Sequence, residues 1–134
     1  MERKVRRANK KFWYKKVVNI PMYPVTLDII FTNDSPKLTK LVGKKMGDIY
    51  GEVVTNGNCV AIAINFWGEY PIVHGVISHE AYHAAAYIME YIGQKYDWRT
   101  EAFTYLLDWI VDETYNFAEK LNIKIITENK ARLK

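Results

Sequence analysis

Residues 71–93 read PIVHGVISHEAYHAAAYIMEYIG, and the arrangement of the rest of the chain follows from this stretch. Before Trp67-Gly68 apolar residues recur every second position. From Pro71 onward they recur at three and four, the period of a helix. Proline suits the first turn of a helix and glycine its C-terminal cap, so Pro71 and Gly93 bracket one long helix over 71–92. Immediately upstream, 48–55 (DIYGEVVT) and 58–66 (NCVAIAINF) read as two strands around Asn56-Gly57, a strong hairpin signal. Further back, 17–23 (VVNIPMY) and 25–32 (VTLDIIFT) read as strands whose pairing Pro21 and Pro24 restrict. Asn33, Asp34, Ser35 and Pro36 form a turn able to start a short helix over 36–46, in which Gly43 is unfavourable. Downstream, Asp97 is a good N-cap for a second long helix over 98–122. Its apolar stripe is Phe103, Leu106, Leu107, Ile110, Thr114, Phe117 and Leu121. The expected fold class is α+β: a small, mostly antiparallel sheet followed by two long C-terminal helices.

The chain has 134 residues, the size of one domain. Its 49% hydrophobic and 25% charged residues are ordinary for a globular fold. No apolar run approaches the ~20 residues of a membrane span, so no membrane association is expected. No apolar segment follows the basic start of the chain, so it does not read as a secretory signal. With the single cysteine, Cys59, no intramolecular disulfide and no thiolate zinc cluster can form. A reducing, cytoplasmic setting fits best. Residues 1–16 (MERKVRRANKKFWYKK) carry eight Lys or Arg and one Glu, a net +7. The whole chain is +4, which leaves −3 for 17–134. The expected organisation is therefore a basic N-terminal arm, 1–16, and one domain, 17–134. Such an arm is usually a solvated end, though it can make weak contact with a polyanion. Phe12, Trp13 and Tyr14 can dock it onto the domain or stack on bases.

The chemistry lies in the middle of the first long helix. Residues 79–83 read His-Glu-Ala-Tyr-His, an H-E-x-x-H pattern. Histidines four apart stand one turn apart on one face, where both imidazoles can reach one Zn²⁺. Glu80 is offset by ~100° around the helix. It is poorly placed as a ligand and well placed to take a proton from a zinc-activated water. Val76, Ile77, Ala84, Ala85, Ala86 and Ile88 surround the motif with an apolar support. An unpaired His or Glu in such a setting would be costly, which argues against a purely structural role.

The arrangement resembles the zincin metallopeptidases. More narrowly, it is similar to small uncharacterised metallopeptidase-type proteins of phages and prophages. The resemblance rests on His79-Glu80-Ala81-Tyr82-His83-Ala84 and on Glu101-Ala102-Phe103-Thr104-Tyr105-Leu106. It covers about 17–122, and only the two helices are specific. It implies a zincin-like fold, Zn²⁺ as cofactor, Glu80 as the catalytic residue and Glu101 as a metal ligand beside His79 and His83. It also implies that Cys59–Phe66 is the strand beside the cleft, able to pair with an extended peptide.

A catalytic zinc takes three protein ligands and keeps one open position. His74, five residues before His79, is turned away from the pair, and Cys59 belongs to a strand in the first half. A carboxylate on the second long helix remains. Counting outward from a short turn in a helical hairpin pairs His83 with Asp108. A splayed crossing brings the first turn, and so Glu101, closer. The resemblance points to Glu101. Asp112 reads as a solvated residue, and Tyr82, Tyr105 and Tyr115 are candidate oxyanion donors among ten tyrosines.

Two function classes fit. One is a zinc-dependent peptide-bond hydrolase acting on a peptide or protein. The alternative is a non-catalytic, zinc-stabilised, phage-type protein that binds a host factor. Glu80 favours the enzyme, because a purely structural zinc site has no use for that carboxylate.

Overall fold

The computed structural model describes residues 10–43, 51–65, 72–94 and 100–126. In chain order the elements are β1 (Trp13–Asn19), β2 (Thr26–Thr32), α1 (Ser35–Val42), β3 (Gly51–Asn56), β4 (Cys59–Asn65), β5 (Ile72–Val73), α2 (His74–Tyr91), α3 (Glu101–Lys120) and β6 (Ile125–Ile126). Four strands form one sheet in the order β1-β2-β4-β3. The β1–β2 and β3–β4 pairs are antiparallel and the central β2–β4 pair is parallel. The class is α+β, with a mixed sheet. Among the described residues no helix is long and apolar enough to cross a membrane.

The two central strands read as near-continuous apolar runs because both faces of the sheet are covered. On one face Leu27, Ile29, Phe31, Val60, Ile62 and Ile64 pack with Ile77, Ile88 and Met89 of α2 and Phe103, Ile110 and Phe117 of α3. On the other, Ile30, Ala61 and Ala63 pack with Leu38 of α1, backed by Trp13, Val42 and Val54. Ala81, Ala84 and Ala85 are fully buried. Their small side chains let the backbone of α2 approach the sheet, a fit that larger residues would overpack.

Several boundaries differ from the sequence reading. β1 begins at Trp13, so residues 13–16 form half a strand instead of the end of a free arm. The backbone of these residues pairs with 29–32 of β2 and Trp13 packs on the sheet, and the basic side chains meet the domain's acids. Lys15 Nζ lies 3.3 Å from Asp28, Lys16 Nζ 3.7 Å from Glu113 and Lys11 Nζ 3.6 Å from Asp34. Further in, the register Asn56↔Cys59 makes Gly57-Asn58 the hairpin turn, one residue later than expected. Gly57 has φ 60° and Asn58 stays at negative φ, the sign pattern of a II′ turn. Gly43 does not weaken α1 but ends it, in the left-handed region at φ 82°. Asp34 caps that helix by accepting a hydrogen bond from Lys37 N.

The second long helix starts at Glu101 with Thr100 as N-cap, its side chain accepting from Phe103 N. Asp97 and Pro71, expected to start the two long helices, lie outside the described residues. The apolar stripe of α3 is as read, with Phe103, Leu106, Ile110, Thr114 and Phe117 buried. Thr114 is tolerated there because its hydroxyl donates to Ile110 O at 2.8 Å. The short parallel pair β5–β6, which ties the start of α2 to the chain after α3, was not foreseen. Two-residue strands are too short to carry a period.

Candidate metal centre

The two motif histidines stand on the outer face of α2. Ile77, Ala81, Ala84, Ala85 and Ile88 take the core face, and the 3.6 period leaves positions 79 and 83 on the opposite side. Both rings are exposed, so the apolar setting expected around the motif holds for Glu80 and not for the histidines, which the helical period turns to solvent. Their centroids lie 4.7 Å apart with planes at 76°. The Nε2 atoms face each other at 3.2 Å. In the neutral pair one Nε2–H donates to the other Nε2. The same separation suits a metal: two nitrogens at ~2.0–2.1 Å from one tetrahedral zinc lie ~3.3 Å apart. The donor chemistry and the spacing therefore both fit Zn²⁺.

Glu80 occupies a different environment on the same turn. Its relative exposure is 6%, while the neighbouring His79 side chain is exposed. The ~100° offset carries it to the flank of α2 that meets β3. Its Oε1 lies 3.7 Å from His79 Nε2. A buried carboxylate thus lies beside His79 on the flank of α2 that meets β3.

The third ligand expected from the sequence is not preassembled. Among the described residues no three His, Cys, Asp or Glu side chains converge as a metal cage. Glu101 and Asp108 are both exposed on α3. The two helices pack along their lengths in the common core, and one of their contacts lies near the start of α3. The Tyr82 ring stands edge-on to Phe103 at a centroid distance of 5.4 Å, and Tyr82 in turn flanks His83.

The remaining sequence candidates fall elsewhere. His74 Nδ1 and Tyr115 OH share a 2.5 Å hydrogen bond, which joins the start of α2 to α3. Burial pushes the Tyr115 hydroxyl above its ordinary pKa. Tyr105 and Asp112 are exposed. Cys59 sits at the far end of β4, opposite Thr26 and six residues before Asn65, and burial raises its thiol pKa.

One expectation about the cleft is overturned. Cys59–Asn65 is paired on both sides, by β2 and by β3, so its backbone cannot take on a further strand. Two neighbours are what its unbroken apolar run requires. The strand beside Glu80 is β3, whose first residue, Gly51, faces the Glu80 side chain. Sequence reasoning did not single out Gly51. A glycine inside a strand pattern is itself a signal of close approach.

Comparison of the chain with protein-family models, with curated proteins and with solved structures finds no match in any of the three.

Proposed function

We propose that the chain is a zinc-dependent peptide-bond hydrolase in which His79, His83 and Glu101 hold the metal and Glu80 is the general base. The observation that carries this reading is the convergence of the two Nε2 atoms at 3.2 Å with the buried Glu80 carboxylate 3.7 Å from one of them. A structural zinc site has no need of a buried carboxylate placed beside its ligands. When bound, zinc supplies Lewis acidity, polarising a carbonyl oxygen and lowering the pKa of water. Glu80 accepts the proton of the attacking water and returns it to the departing amine. Its burial between α2 and β3 keeps competing solvent away and fixes the direction of the carboxylate. Among the described residues β3 is the last strand of the sheet on this side, so an extended peptide can add to it next to Glu80.

Glu101 is proposed because the first turn of α3 packs by Phe103 against Tyr82, within the motif. An exposed glutamate there reorients on the ps–ns timescale and can be drawn in by a metal. Asp108 lies seven residues on, ~10 Å further along the helix.

Metal analysis of purified protein followed by cleavage of a peptide library tests the proposal. The expected result is about one zinc per chain and metal-dependent cleavage. Zinc bound without cleavage of any peptide would overturn the hydrolase and favour a zinc-stabilised binding protein. Protein that neither carries zinc nor responds to it would overturn both.

A further inference from the structure

We infer that Gly51 is a positioning residue for Glu80: the missing side chain at the start of β3 is the space through which the Glu80 side chain reaches the histidine pair. This rests on the reading of Glu80 as the general base. Gly51 differs from Gly43, Gly57 and Gly93, which stand at φ 82°, 60° and 77° with open space where a Cβ would be. Gly51 has no such positive φ. An L-residue could adopt its backbone conformation. What it could not do is fit. A Cβ at Gly51 would lie 2.8 Å from Glu80 Cγ, 3.2 Å from Glu80 Cδ and 3.4 Å from Ala63 O. Carbon atoms at rest stay ~3.5–4.0 Å apart, so the first contact is a collision.

The backbones on either side have little room to yield. Gly51 is paired with Ile64, and Glu52 with Ala63, in the antiparallel ladder to β4. On the helix side Ala81 and Ala84, which flank this turn of α2, are fully buried, so retreat of the helix would open the core. The side chain of Glu80 is the part that must move. Its carboxylate would leave the position 3.7 Å from His79 Nε2, while the two imidazoles, on the outer face of the helix, would keep theirs.

The test is a double-mutant cycle read by melting temperature, zinc binding and kinetics. Gly51→Ala should lower Tm by about 5 °C or more in the wild-type background. It should lower Tm by no more than about 1 °C in Glu80→Ala, which has neither Cγ nor Cδ to collide with, because the two sites are coupled only through those atoms. Zinc affinity of Gly51→Ala should stay within about threefold of wild type. On the best-cleaved library peptide kcat should fall about 100-fold with KM nearly unchanged, and Gly51→Ala/Glu80→Gln should be no slower than Glu80→Gln alone. A merely structural glycine would give the same Tm loss in both backgrounds, and that result overturns the inference. Wild-type kcat in Gly51→Ala overturns it too. If Gly51→Ala does not fold, rescue of folding by Glu80→Ala supports it and failure of rescue overturns it. If wild type cleaves nothing, the hydrolase reading fails, and the Tm cycle still decides whether Gly51 seats Glu80.

Discussion

The ring of Tyr82 stands edge-on against the ring of Phe103, with centroids 5.4 Å apart and planes at 77°. Tyr82 lies inside the motif and nine residues before the end of α2, whereas Phe103 lies two residues after the start of α3. This pair is seven residues away from the symmetric pairing of a helical hairpin, whereas His74 and Tyr115 at the other end are only three away from it. The segment between the helices, 92–100, is nine residues long by the element bounds, more than the four that counting assumed. This contact brings the first turn of α3 to the motif. Glu101→Gln should accordingly weaken zinc binding at least tenfold and Asp108→Asn leave it nearly unchanged, as read by metal titration. Loss of zinc in Asp108→Asn with full affinity in Glu101→Gln would reverse the assignment.

The facing Nε2 atoms of His79 and His83 lead to a prediction about stability. A ligand that binds only the folded state at 100 times its Kd stabilises it by about 2.7 kcal/mol. Added zinc should raise the melting temperature of the chelator-treated wild type by several degrees. His79→Ala and His83→Ala should show no such rise, in calorimetry or in a dye-monitored melt.

Glu80→Gln keeps the size of the side chain and removes its basicity. It should retain zinc at wild-type affinity and lose about 10²- to 10⁴-fold in kcat, the usual worth of a positioned base. Undiminished cleavage by Glu80→Gln would remove Glu80 from the mechanism.

Ahead of β1, residues 10–12 are anchored by the side chains of Asn33 and Thr32. Asn33 Oδ1 accepts from Phe12 N at 2.9 Å, and Asn33 Nδ2 donates to Lys10 O at 3.0 Å. Thr32 Oγ1 adds a bond to Phe12 O at 2.8 Å. Asn33→Ala should cost about 1–2 kcal/mol in chemical denaturation, since two hydrogen bonds are lost together. Deleting residues 1–9 removes none of these contacts and should leave stability and zinc content nearly unchanged. Lys11, Lys15 and Lys16 already face carboxylates. Any polyanion affinity should therefore draw mainly on the bases of 1–10, fall on deletion of 1–9 and fall steeply with salt beforehand.

The His74–Tyr115 hydrogen bond, unlike the His79–His83 pair, should affect stability and leave zinc content alone. Tyr115→Phe should cost about 0.5–1.5 kcal/mol at neutral pH. Burial raises the Tyr115 pKa in the folded state. The folded protein thus holds that proton more tightly than the unfolded chain. This contribution is complete below the unfolded value of 10.0 and is lost as pH rises through the higher folded value. Wild-type stability should fall above about pH 10, and Tyr115→Phe should fall less steeply, in denaturation curves taken across that range.

The sequence by itself determined the main strands, the two long helices and the chemistry carried on single elements. The switch of period after Trp67-Gly68 separates the four-stranded sheet from the two long helices, and the i, i+4 spacing alone places His79 and His83 on one face of α2 with Glu80 turned from them. These are properties of one helix, independent of its neighbours. What crosses between elements was decided only by the tertiary structure. The unbroken apolar run of β4 could not say whether it lay at an edge, and the sheet order made it central. Residues 13–16, read as part of a free arm, became half of β1 because β2 offers them a pairing edge, with Asp28 and Glu113 lying opposite Lys15 and Lys16. Gly51 drew no notice because its constraint is a side chain 29 positions away, on a helix packed against its strand. The meeting of Tyr82 and Phe103 depends on how two helices settle on a sheet. Close packing fixes that arrangement through many residues at once, and no local pattern encodes it.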